Sequence, residues 1–182
     1  MRRKSMFAAL AVGAATLAVA AYALAGGSGP GFNHLSATLQ GYQEVPSISS
    51  TGTATFTADV AKDGQSVDWK MSYAALEGNV LQSHIHFGQR SVTGGISVFL
   101  CTNLGNGPAG TQACPGPHDG VISGTFRPAD VIGPTAQGIT AGEWDELMRA
   151  IDAGKAYANI HSTIWPGGEI RAQLNETGNP HD

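Results

Sequence analysis

Thr53-Ala54-Thr55-Phe56-Thr57-Ala58-Asp59-Val60 runs through Asp63-Gly64 into Val67-Asp68-Trp69-Lys70-Met71-Ser72-Tyr73, and this stretch decides the fold. Ala54, Phe56, Ala58 and Val60 alternate with Thr53, Thr55, Thr57 and Asp59. Successive side chains of a strand point to opposite faces, so a period of two sets an apolar face on a core and a polar face outward. Val67, Trp69, Met71 and Tyr73 continue the period as a core stripe, and Asp63-Gly64 between the runs is a hairpin signal.

Upstream, Leu35, Ala37 and Leu39 alternate into a first strand that stops near Gly41, before a bend at Tyr42-Gln43-Glu44-Val45-Pro46. Downstream, the same period marks strands through Ser83-His84-Ile85-His86-Phe87-Gly88, through Ile96, Val98 and Leu100, and from Val121 to Phe126. Lys155 to His161 and Glu169 to Leu174 form a last pair around Trp165-Pro166-Gly167-Gly168. A single helix is expected from about Ala141 to Ala153, with Thr140 and Glu143 as a capping box and Gly154 as its stop. Its apolar stripe is Trp144, Leu147, Met148 and Ile151, fit to lie over a sheet edge or end. About eight short strands with one helix define a mostly β fold, an antiparallel β-sandwich or barrel with one connecting α-helix.

The N-terminus reads as a secretion signal over residues 1–25: a basic Arg2-Arg3-Lys4, an apolar Phe7 to Ala23, and an Ala23-Leu24-Ala25 cleavage site. Retention of that segment as a membrane anchor is the alternative. Residues 26–32 are a Gly-rich linker, 33–175 the domain and 176–182 a tail carrying His181. Removing the signal takes three of the 10 Lys and Arg and none of the 14 Asp and Glu, leaving 7 against 14 and a formal charge of −7. That sign excludes nucleic acid and anionic membrane surfaces as partners, since both require a basic footprint. In an exported chain Cys101 and Cys114 are expected to form a disulfide across the Gly-, Asn- and Pro-rich loop 102–118; a Cys/His metal site using Cys114 and His118 is the alternative. No Gly-x-Ser-x-Gly occurs and the cysteines are expected to be paired, so a hydrolase nucleophile is missing.

His84 and His86 share one strand face, about 7 Å apart along the chain, with Ile85 and Phe87 on the other. Two imidazoles at that spacing can chelate a metal ion from what the alternation makes an outward surface. His161, after Ile160 in a similar strand, is a candidate third ligand. Glu169 and Arg171 are candidate outer partners of the ligands, or else an exposed ion pair.

Four stretches in order resemble the CHRD (chordin-type) domain family: Leu39-Gln40-Gly41-Tyr42-Gln43-Glu44-Val45-Pro46, Ser83 to Gly88, Ala156-Tyr157-Ala158-Asn159-Ile160-His161-Ser162, and Pro166-Gly167-Gly168-Glu169-Ile170-Arg171. Ala172 departs from the glycine usual in the family. The resemblance implies an extracytoplasmic β module with no settled activity, an antiparallel β-sandwich of immunoglobulin-like or, by the local similarity that follows, superoxide-dismutase-like type. A weaker local similarity is to the copper strand of Cu/Zn superoxide dismutase, in which His84, His86 and His161 are the matching positions. The bridging histidine and zinc cluster of that family have no counterpart here.

These readings converge on a secreted, periplasmic or cell-surface binding module holding one metal ion, copper before zinc, at a three-histidine site. A structural or extracellular protein-interaction module without metal is the first alternative, and a copper-dependent redox enzyme the second.

Overall fold

In the computed structural model, which describes residues 31–174, the opening hairpin pairs in full register. Strands β2 (Thr53–Val60) and β3 (Val67–Ala74) set Ala54 opposite Tyr73, Phe56 opposite Met71 and Ala58 opposite Trp69. All six are buried, while Asp68, Lys70 and Ser72 are exposed. This is the in/out alternation of a half-buried antiparallel pair. β1 (His34–Gln40) flanks β2, and β6 (Gly120–Phe126) flanks β3.

The other half consists of β4 (Val80–Phe87), β5 (Gly95–Thr102), β7 (Ala156–Ser162) and β8 (Ile170–Gln173). All pairings are antiparallel, in the order β5-β4-β7-β8-β1-β2-β3-β6. The eight strands form a nearly closed sheet, sandwich-like around one core. The halves join where Gln40 of β1 pairs with Arg171 of β8. At the opposite seam Gln112, in the loop between the edge strands, donates from Nε2 to Leu100 O on β5 (3.3 Å) and Ser123 O on β6 (3.1 Å). That loop is fastened by the Cys101–Cys114 disulfide.

Helix α1 (Trp144–Asp152) starts later than its sequence pattern suggests. Gly142 takes a left-handed φ of 84°, a conformation that costs glycine little and interrupts the helix before Trp144. Half of the capping box still forms, since the Thr140 N–H donates to the Glu143 carboxylate at 2.6 Å. Trp144, Leu147, Met148 and Ile151 are buried, and the Trp144 indole N–H reaches Gly64 O in the β2–β3 turn at 2.7 Å.

Residues 1–25, read as a secretion signal, and the tail with His181 lie outside the described residues. Among the described residues no helix is long and apolar enough to cross a membrane. Phe32, at the end of the stretch read as linker, is buried in the core.

Candidate metal centre

β4 and β7 lie side by side, with Gln82 opposite His161, His84 opposite Asn159 and His86 opposite Tyr157. His84 and His86 therefore share a face with Tyr157, Asn159 and His161, although positions 84 and 159 are far apart in sequence. The β4–β5 pairing shifts register between Ser83 and His84 and again between Ile85 and His86, irregularities of the kind that re-aim side chains.

The expectation of an outward histidine surface does not hold. His84 is 0% exposed, His86 6% and His161 7%. Phe99 of β5 meets His84 edge-on at 4.3 Å, and Tyr157 stacks flat on His86 at 4.8 Å. Arg171 lies over the Tyr157 ring at 3.9 Å and donates to Val92 O at 3.1 Å. Alternation reports that two faces differ chemically; it does not report that the polar one is wet. Here aromatic rings and a loop close it.

Hydrogen bonds fix two of the three imidazole tautomers. His86 Nδ1 lies 3.0 Å from Gly94 O and His161 Nδ1 lies 2.9 Å from Pro166 O. A carbonyl only accepts, so both Nδ1 atoms carry the proton and both Nε2 atoms carry the lone pair. His84 Nδ1 is 3.2 Å from His161 Nε2. Two ligands on bonds of about 2.0 Å stand about 2.9–3.3 Å apart at bond angles of about 90–110°, so this separation suits a shared ion. The ligand atoms of all three histidines lie within 4.8 Å of one another.

Burial keeps these rings neutral. The His84 pKa is pushed down from 6.5 to about 2 by burial, then by the nearby His161 and His86. Burial takes His86 to about 4 despite the Gly94 hydrogen bond, and also lowers His161 despite its bond to Pro166. Neutral imidazole is the form that ligates metal. His84 Nε2, His86 Nε2 and Asn159 Oδ1 are buried without a hydrogen-bond partner. Buried polar atoms are nearly always partnered, so His86 Nε2 and Asn159 Oδ1 mark a place where something polar belongs, while His84 Nε2 is the ring nitrogen turned away from His161.

The candidate outer partners divide. Arg171 touches the cluster through Tyr157, whereas Glu169 serves the loops. Fully buried, Glu169 accepts from the Ser50 hydroxyl and the Glu77 N–H, each at 2.7 Å. The two are not an exposed pair. His118 bonds Leu76 O at 2.8 Å, apart from the cluster, and His34 sits in β1 beside Asp59 at 2.7 Å.

Three participants carried no role in the sequence: Asn159, Tyr157 and Gly94. Counting back by two from His161 would have put Asn159 and Tyr157 on its face. Gly94 O holds His86, and Gly94 N–H donates to the Tyr157 hydroxyl at 3.1 Å. Its backbone approaches β4 so closely that a Cβ there would stand 1.8 Å from Phe87 O.

Fold and cluster together define a disulfide-linked β domain with a buried set of three histidines able to hold a metal ion. The chain belongs to the CHRD domain family, whose model matches residues 35–174, from β1 to just beyond β8. No curated protein and no solved structure matches the chain.

Proposed function

We propose that this protein is an exported binding module that holds one divalent transition-metal ion on His84, His86 and His161. The observation that carries the reading is the convergence, in a buried site, of three neutral imidazoles with ligand atoms within 4.8 Å. The Gly94 and Pro166 carbonyls act as the outer hydrogen-bond partners that usually orient ligating histidines. All-imidazole donors suit copper, zinc or nickel, and affinity order favours Cu²⁺. Export is supported by the basic, apolar and Ala-x-Ala segments of residues 1–25 and by the disulfide.

Calorimetric titration tests the reading. Wild-type protein should bind one Cu²⁺ or Zn²⁺ per chain. Each of His84→Ala, His86→Ala and His161→Ala should weaken binding by more than the roughly 10–100-fold that loss of an outer partner causes. His118→Ala, whose ring bonds Leu76 O, should bind as wild type does. Equal affinity in all four variants would leave the histidines as a hydrogen-bonded network inside a structural module.

A further inference from the structure

Three histidines leave one position of a tetrahedral shell to fill, and Asn159 lies against one of the three. Its backbone is the register partner of His84, and it lies two residues from His161 on the same strand face. Its side chain is 2% exposed. Nδ2 is 2.9 Å from His161 Nε2, the nitrogen whose lone pair is free because Nδ1–H is given to Pro166 O. Oδ1 is buried with no partner. We infer that Asn159 supplies a fourth donor, its amide oxygen, so that the bound ion is enclosed entirely by protein.

The terminal torsion of asparagine is roughly two-fold, so a half-turn exchanges Nδ2 and Oδ1 with little movement of anything else. The oxygen then occupies the place 2.9 Å from His161 Nε2. That is within the roughly 2.9–3.3 Å expected between donors on bonds of about 2 Å. A single rearrangement thereby releases the His161 lone pair from the amide N–H and gives the orphaned oxygen a cation to face. Catalytic sites of this kind leave their fourth position to water or substrate, whereas structural ones close it. A His₃Asn shell, buried under Phe99 and Tyr157, is of the closed kind and holds its ion without offering it to small ligands.

The inference rests on the three-histidine reading, and full-length protein loaded with Co²⁺ separates the two. Co²⁺ absorbs in the visible according to its ligand set, and azide competes for any open position. Wild-type Co²⁺ protein should keep its spectrum in excess azide. Asn159→Ala should bind Co²⁺ at least about 10-fold more weakly and shift its spectrum with azide. Asn159→Asp, which keeps an oxygen in the same place, should bind at least as tightly as wild type and remain insensitive. An azide response in the wild type overturns the inference and leaves the three-histidine site standing. An Asn159→Ala protein with wild-type affinity and no azide response overturns it too. If that variant does not fold, the wild-type and Asn159→Asp spectra decide alone. Wild-type protein that takes up Cu²⁺ or Zn²⁺ but not Co²⁺ overturns the closed-shell inference alone, and failure to take up any of the three overturns both readings.

Discussion

His84 is fully buried between Phe99 and His161, and its charge state ties the site to the stability of the fold. All three histidines have pKa values lowered from 6.5, His84 to about 2 and His86 to about 4. Between 6.5 and about 4 the unfolded chain takes up protons that the folded cluster refuses. Their contribution is therefore complete above pH 6.5 and is lost as pH falls through that window, by up to about 1.4 kcal/mol per group per pH unit. Glu44 works in the other direction. Burial raises its carboxyl from 4.5 to about 7 against the pull of Arg171, so it favours the fold more as pH falls. Three groups oppose one, and the histidines decide the sign. The denaturant midpoint of metal-free protein should fall between about pH 6.5 and about pH 5, and more steeply in Glu44→Gln. A flat or rising midpoint on acidification would contradict this assignment. At this scale the three histidines were legible because a period of two reveals a shared face. Asn159 and Tyr157 gained roles only from the pairing of β4 with β7, a long-range fact that local pattern does not carry.

At the scale of elements, alternation located the strands because a half-buried pair needs it, as β2 and β3 show. It misjudged β4, β7 and β8, where side chains on both faces are buried and polar residues stand inside. Helix α1 was legible from its stripe, but its start depended on the backbone turn at Gly142. That stripe makes the helix part of the core, with Leu147 fully buried and Trp144 meeting Phe126 of β6 at 5.7 Å. Leu147→Ala should cost about 2–5 kcal/mol in denaturant unfolding, as large-to-small core changes do. A loss within experimental error would make the helix an external cover, not a core element.

The strand order of the whole molecule was not legible, because seven antiparallel pairings depend on contacts between distant residues. Four family stretches nonetheless stood in order along the chain, and the structure shows what several of them do together. Pro166 O orients His161, Gly94 O orients His86, and Arg171 lies over the ring stacked on His86. At the far seam, Cys101 and Cys114 are separated by 13 residues and fasten the loop that carries Gln112 between β5 and β6. Constraining a loop of that size should contribute about 2–4 kcal/mol, so reduction should lower the denaturation midpoint while the β signal in circular dichroism persists. An unchanged midpoint would mean that the seam holds without its staple. The central claim is that the geometry of one face, built from β4 and β7, holds a single ion. Its most direct test is electron paramagnetic resonance of the protein with one equivalent of Cu²⁺. The expected spectrum is one copper species with nitrogen couplings from imidazole, absent from the His84→Ala/His86→Ala/His161→Ala protein. The same spectrum in that triple variant would contradict the claim.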